Sequence, residues 1–197
     1  GTHPRTRVMF SAYRPVLALP AVRSALLLGL LLRSPVWAAG VILTLHVVGH
    51  LEHSYTAAGL LTTVSTVALA VNGPWRGRLL DRLGLRRTVL PGIVVQVLCW
   101  SIAPFVGYPV LLPLAAVAAL YVVPSFAIIR QLVVESVPVE QRTTALALDS
   151  IGLEVSFMIG PALGVLTATW WGTPLALLGC QLTGAATGLL LWVINPP

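Results

Sequence analysis

The charged sequence Asn72-Gly-Pro-Trp-Arg-Gly-Arg-Leu-Leu-Asp-Arg-Leu-Gly-Leu-Arg-Arg-Thr-Val-Leu90 interrupts an otherwise apolar chain. It contains five arginines and one aspartate, and long apolar runs with almost no charge lie on both sides of it. A segment with this much charge cannot lie in hydrocarbon, where each charged side chain has a large free-energy cost. We therefore expect a short basic loop outside a membrane, and this loop places the rest of the chain relative to one membrane face.

The composition is that of an integral membrane protein. Hydrophobic residues make up 57% of the chain and charged residues 9%, with a mean hydropathy of +0.91. A membrane-spanning helix needs roughly 20 residues, so a chain of this length could hold about six. The net charge of +6 comes from arginines clustered at alternate turns, which is the pattern of the positive-inside rule. We therefore expect a lipid bilayer, and no nucleic acid, as the partner of this basic charge.

These features predict an all-α membrane protein, a bundle of six transmembrane helices behind a cytoplasmic arm at residues 1–22. The arginines lie at or near the inner ends of the spans, so both termini should be cytoplasmic. The absence of lysine suggests a GC-rich genome, and we expect a multi-pass protein of a bacterial cell membrane. The predicted spans cover residues 23–50, 55–75, 89–106, 110–130, 143–169 and 175–194.

Two charges inside predicted spans are candidates for substrate binding or ion coupling. Arg33 lies ten residues beyond Arg23, and Glu154 lies eleven residues beyond Thr143. Both spans leave the cytoplasmic side, so at about 1.5 Å per residue the two side chains should reach a similar depth. We predict that Arg33 and Glu154 lie within reach of each other. They form either a structural ion pair or a cavity-facing site that binds substrate or takes up a proton.

Three histidines lie on one face of the first span near its outer end, at positions 46, 50 and 53. His46 and His50 are candidates for a pH-sensitive outer gate. The spacing is also compatible with zinc, but polar residues at a helix end are commoner than metal sites, and we predict no metal and no cofactor. An intramembrane metalloenzyme fits poorly, because no helix offers both a general base and a complete ligand set.

Small residues recur at every fourth position of the fifth span, and such stripes allow close packing between membrane helices. Glu154 is about 200° from Gly152 at 100° per residue, so it points away from this stripe. We therefore predict that the stripe is exposed on the six-helix bundle and contacts a carboxy-terminal half or a second copy of the chain. The stripe consists of Gly152, Ser156, Gly160 and Gly164.

The basic segment resembles the signature between the second and third helices of the major facilitator superfamily, Gly-x-Leu-Ala-Asp-Arg-x-Gly-Arg-Arg. The corresponding residues here are Gly77, Leu79, Leu80, Asp81, Arg82, Gly84, Leu85 and Arg86. The resemblance implies a conformational latch on the cytoplasmic side, formed by Gly77, Asp81, Arg82, Gly84 and Arg86. Arg130 is the expected partner of Asp81 within this bundle, with an arginine that snorkels to headgroups as the alternative. Asp149 is either solvated or part of the same network.

A second stretch, Ser156-Phe-Met-Ile-Gly160-Pro161-Ala-Leu-Gly164, is similar to the Gly-Pro motif of the superfamily's antiporters. The resemblance covers nearly all of the chain and corresponds to the amino-terminal half of a twelve-helix transporter. It implies a secondary transporter rather than an enzyme, working by alternating access and exporting a small molecule. Pro161 then belongs with the stripe as a packing or interdomain residue. A truncated, non-transporting scaffold or assembly module is the alternative function.

Overall fold

The computed structural model describes residues 13–122 and 125–194, except for the side chains of residues 85, 86, 125, 191 and 194. The described part is helical and contains no strand, which confirms the predicted all-α class. Five helices are long and apolar enough to cross a membrane. The helices are α1 (Pro20–Leu45), α2 (Tyr55–Gly84), α3 (Arg87–Phe105), α4 (Tyr108–Leu120), α5 (Ser125–Glu135), α6 (Arg142–Trp171) and α7 (Thr173–Ile194).

Helix α1 is central to the bundle and packs against α5, α6 and α7. Proline at its first position suits a helix start, since the N–H that proline lacks would have no partner there. Three apolar clusters lie among the described residues, and the two largest occupy different levels of the bundle. The cluster at the end of the bundle that carries the α2–α3 turn, here called the inner end, joins α1, α3, α5 and α6 through residues such as Val22, Val89 and Val133. The outer cluster joins the outer end of α1 to α2, α3 and α4 through residues such as Leu61 and Leu111.

The basic segment is mostly helical, which corrects the predicted loop. Helix α2 continues to Gly84, and α3 begins at Arg87. The turn is made at Gly84, whose φ of 77° and ψ of 170° leave the helical region, and glycine adopts such a positive φ without a steric cost. A helix of 30 residues is about 45 Å long, more than the roughly 30 Å of hydrocarbon. The charged last turns of α2 can therefore stand outside the membrane while remaining helical.

The predicted fourth span, 110–130, is divided into two helices, which corrects the prediction of one unbroken helix. Helix α4 ends at Leu120 and α5 begins at Ser125. Between them the sequence places Pro124, which has no N–H to donate and disfavours helical backbone in the residue before it. The two parts have different neighbours: α4 packs against α3 and α2, whereas α5 packs against α1 and α6.

Polar side chains from neighbouring helices bind carbonyl groups at the end of α4 and just after it. Asn72 on α2 donates from Nδ2 to the carbonyl oxygens of Ala119 and Val122, both at 3.0 Å. Gln96 on α3 donates to the carbonyl of Ala118, and Trp100 Nε1 holds Gln96 by donating to its Oε1 at 2.6 Å. The backbone N–H groups of Tyr121 and Val122 also donate to the Ala118 and Ala119 carbonyls, at 3.2 and 3.4 Å, so the side chains reinforce long backbone bonds there. Such reinforcement matters because an unsatisfied backbone group in hydrocarbon costs several kcal/mol.

The small-residue stripe of α6 packs against α1 inside the bundle, which contradicts its predicted exposure. A Cβ added to Gly160 would lie 2.6 Å from Trp37 Cβ and 2.8 Å from the backbone oxygen of Ser34. At Gly164 it would lie 2.9 Å from the backbone oxygen of Ala38. Ser156 is fully buried, and Pro161 is accommodated within the helix. The physical reason is the close approach of two backbones, which small side chains permit.

Candidate functional site

An ion pair is buried where α1, α5 and α6 meet. The Nη1 of Arg33 donates to Asp149 Oδ1 at 2.7 Å, and the two side chains are 3% and 6% exposed. Asp149 follows the start of α6 at Arg142 by seven residues, which is about 10 Å along the helix. Both charges therefore lie about two helical turns from that end of α6, within a candidate span, and ionisable groups in spans are rare and usually paired.

Two further groups from α5 surround this ion pair. Arg33 donates from Nη2 to the carbonyl of Phe126 at 3.5 Å, and its guanidinium lies 5.3 Å from the centre of the Phe126 ring. Arg130 approaches Asp149 Oδ2 with its Nε at 4.0 Å, and 59% of its side chain is exposed. One carboxylate thus lies between a buried and an exposed arginine. The division of the fourth span makes this possible by placing α5 beside α1 and α6.

An aromatic cluster lies one helical turn outside the charges. Trp37, four residues after Arg33, makes edge-on contacts with Phe126 and Phe157, with ring centres 6.5 and 4.9 Å away. Phe157 is 52% exposed. The Nε1 of Trp37 and the Nε of Arg33 are both buried without a hydrogen-bond partner. The site therefore combines charges, apolar ring faces and two unused donors.

The predicted pairing of Arg33 with Glu154 is wrong, since the partner of Arg33 is Asp149 and Glu154 is exposed. The two acids are five residues apart, which rotates Glu154 by about 140° around α6. The sequence contained a signal for the correct acid. Asp149 is on the same face as Ser156 and Gly160, only about 20° from either, and that face is the one that meets α1.

The predicted latch residues lie at the turn between α2 and α3, except for Arg130, which lies on α5 and has a different partner from the one expected. Asp81 and Arg82 are exposed, and Arg130 has its ion pair with Asp149 rather than with Asp81. Gly84 makes the turn, whereas a Cβ at Gly77 would contact nothing within 4 Å. The side chain of Arg86 lies outside the described part. The sequence argument therefore identified the turn but not the partner of Arg130.

A buried arginine that the sequence argument did not single out holds this turn together. Arg76 is 1% exposed, and its Nη2 donates to the carbonyl of Thr88 at 2.7 Å, which ties the end of α2 to the start of α3. Its guanidinium also lies 5.8 Å from the centre of the Tyr121 ring. Not every arginine of the basic segment is therefore available to solvent or to a partner.

The outer histidines link α1 to its neighbours. A turn of π-helix, His46–His50, ends the first span. His46 is fully buried, shares a 2.8 Å hydrogen bond between its Nδ1 and Thr173 Oγ1, and stacks on His50 with ring centres 4.8 Å apart. His53 instead contacts the ring of Tyr108. In the described part of the chain, no three His, Cys, Asp or Glu residues are grouped closely enough to hold a metal ion.

Comparison with known proteins agrees with this architecture of long apolar helices and a basic inner turn. The profile of the family described as Major Facilitator Superfamily matches residues 25–197, which include every helix from α2 to α7 and nearly all of α1. No curated protein matches the chain. The members of this family are membrane transporters rather than enzymes, and their substrates are small molecules handled in a lipid bilayer. The chain belongs to the major facilitator superfamily.

Proposed function

We propose that the chain forms one half of a secondary active transporter that exports a small molecule from the cell by alternating access. The observation that carries the proposal is the buried pair of Arg33 and Asp149, with the exposed Arg130 beside it. Ionisable residues within membrane spans are rare, and they typically mark substrate or ion pathways. The similarity of residues 156–164 to the antiporter motif supports export.

The pair can respond to ligands because its charges are balanced only as long as both are ionised. Protonation of Asp149 would leave Arg33 buried without a counter-charge, and an anion that competes for the two arginines would leave the buried Asp149 carboxylate without one. Such a change biases the packing of α1 against α5 and α6, since a lone buried charge is strongly destabilising. A second six-helix unit, from the same protein or from another copy, would supply the other wall of the pathway.

The inner turn would then limit the movement between the two units. Asp81 and Arg82 are exposed at the end of α2, so they are free to form ion pairs with a second unit in one conformation and to lose them in the other. Gly84 keeps the turn tight, and Gly77 and Arg86 complete the proposed latch. At the opposite membrane face, His46 and His50 remain the proposed outer gate.

Counterflow in proteoliposomes tests the transport proposal. The protein, produced from its complete reading frame, is reconstituted in phosphatidylcholine vesicles preloaded with an unlabelled compound. The labelled compound is then added outside. Three probes of similar shape cover the charge types: 2-naphthoate, 2-naphthylmethylammonium and 2-naphthamide. We expect saturable counterflow of at least one probe, and its loss in Asp149→Asn when the vesicles hold the same amount of folded protein. Absence of counterflow for all three, or unchanged counterflow in Asp149→Asn, would contradict the proposal.

A further inference from the structure

The surface where α1, α5 and α6 meet has more positive than negative charge. Within the described side chains, Asp149 is the only acid within 4.0 Å of either Arg33 or Arg130. Its contact with Arg33, at 2.7 Å, is much closer than its contact with Arg130, at 4.0 Å. Charge-assisted hydrogen bonds have lengths of about 2.7–2.9 Å. The charge of Asp149 is therefore compensated mainly by Arg33, and the positive charge of Arg130 is compensated only weakly.

Arg130 exposes this charge about two helical turns from the end of α6 that begins at Arg142. It approaches the same carboxylate as the buried Arg33, so its guanidinium lies about 10 Å inside the start of α6. More than half of its side chain is nevertheless exposed. A guanidinium that faces acyl chains is unfavourable. The exposed guanidinium of Arg130 is therefore stabilised if water or a ligand with a negative group contacts it on this side of the bundle.

The neighbouring groups specify the rest of such a ligand. Phe126 precedes Arg130 by one turn of α5, and Trp37 follows Arg33 by one turn of α1, so ring faces begin about 6 Å from the charges. Phe157 extends this apolar surface and is half exposed. The two unpartnered buried atoms of the site, Arg33 Nε and Trp37 Nε1, are donors. The site needs hydrogen-bond acceptors, not further donors.

We infer that this surface binds organic anions with a planar apolar body, and that such anions are the substrate class of the transporter. The acidic group contacts Arg130, and the body lies against Trp37 and Phe157. This inference rests on the proposed function, because it assigns the charge type of the molecule that is carried. It depends on separate observations, namely the unequal distances to Asp149, the exposure of Arg130 and the excess of donors.

Equilibrium binding to the purified protein in phosphatidylcholine nanodiscs tests the charge preference. The probes are again 2-naphthoate, 2-naphthylmethylammonium and 2-naphthamide, which share the ring and differ in head-group charge. We expect the Kd for 2-naphthoate to be at least about tenfold lower than for the other two, as fits a charge-assisted hydrogen bond. Arg130→Gln should remove this preference, and Arg130→Lys, which keeps the charge, should retain part of it.

Arg142→Gln is the matched control, because it removes the same charge from an exposed arginine at the start of α6. It should change the Kd for 2-naphthoate by less than about twofold, since an exposed charge at that distance is largely screened. Tighter binding of the ammonium probe, equal effects of Arg130→Gln and Arg142→Gln, or no saturable binding of 2-naphthoate would overturn the inference. Counterflow of the ammonium or the amide probe alone would overturn it while leaving the transport proposal intact.

Discussion

Asp149 has two arginine partners, the buried Arg33 and the exposed Arg130, whereas Arg33 has only Asp149 among the described acids. Removing Asp149 and removing Arg33 should therefore have different effects on stability. If Arg33 is removed, Asp149 still has Arg130 at 4.0 Å. If Asp149 is removed, Arg33 is 3% exposed with no acid within ion-pair distance among the described side chains. The free-energy cost of burying a charge depends on whether it has a counter-charge. The carboxylate is therefore the more critical member of the pair.

We predict that Asp149→Asn destabilises the protein more than Arg33→Gln does. Breaking a buried pair from one side costs about 3–5 kcal/mol, and the full cost should appear only where Arg33 is left alone. The double variant should recover part of the loss. Thermal unfolding of the purified variants in detergent gives the order of their Tm values. Glu154→Gln, an exposed acid on the same helix, is the control and should change Tm little. Equal Tm values for the two single variants would contradict this asymmetry.

The contact between α1 and α6 depends on glycine at specific positions rather than along the whole stripe. At Gly160 the nearest atoms are 2.6 and 2.8 Å from the position of a Cβ, and one of them belongs to the backbone. At Gly152, two turns earlier, no atom lies within 4 Å of that position. The same sequence pattern therefore includes a position that requires glycine and one that does not.

We predict that Gly160→Ala destabilises the bundle, whereas Gly152→Ala does not. Inserting a methyl group into a tightly packed contact typically costs about 1–3 kcal/mol. The matched change at Gly152 adds the same methyl group to open space and improves the helix propensity of the residue. Unfolding of both variants in a denaturing detergent titration measures the difference. If both variants unfold at the same detergent fraction as the parent, α1 and α6 are not in close contact at Gly160.

The division of the fourth span has a similar dependence on one side chain. We predict that Asn72→Leu, which keeps the approximate size of Asn72, destabilises the end of α4. It removes the side-chain donor from the carbonyls of Ala119 and Val122 and leaves Ala119 with only a long backbone bond of 3.4 Å, and an unsatisfied buried group costs about 1–3 kcal/mol. Hydrogen exchange of residues 117–122 should become faster. Thr66→Ala on the same helix is the control, because it removes only an exposed bond to the preceding turn. Unchanged exchange in Asn72→Leu would show that this side chain does not hold the break.

Some features of the fold and the site follow from a residue's position along the sequence, and these could be predicted. Others depend on which face of a helix a side chain occupies and which neighbour that face meets, and these could not. Hydropathy and the arginine pattern predicted the long helices and the place of the basic turn, because both depend only on position, but not the helical form of the basic segment or the division of the fourth span. The partner of Arg33 depends on which face of α6 meets α1, and this separates Asp149 from Glu154. The role of Asn72 was not predictable either, since its bonds join residues 47 and 50 positions apart.

For the whole bundle, most of the surface is apolar, as a lipid environment or a partner unit requires. In the most apolar 18-residue stretch of each of the five long helices, only 22–39% of the residues are buried within the protein. Large side chains such as Leu27, Val67, Leu98 and Met158 are among those exposed. The exposed charges of the α2–α3 turn contrast with this surface. Arg78, Arg82 and Arg87 are all exposed there, so the two ends of the bundle differ strongly in charge.

This charge asymmetry predicts the orientation in the membrane, because arginine-rich turns remain on the cytoplasmic side. In a variant whose two cysteines, Cys99 and Cys180, are replaced by alanine, a single cysteine at Arg82 should not react with an impermeant maleimide in intact cells. It should react after the membrane is permeabilised. A single cysteine at Trp170, which is 70% exposed at the opposite end of α6, should react without permeabilisation and serves as the matched control. Labelling of Arg82→Cys in intact cells would place the basic turn outside, and the proposed latch could not then act on the cytoplasmic side.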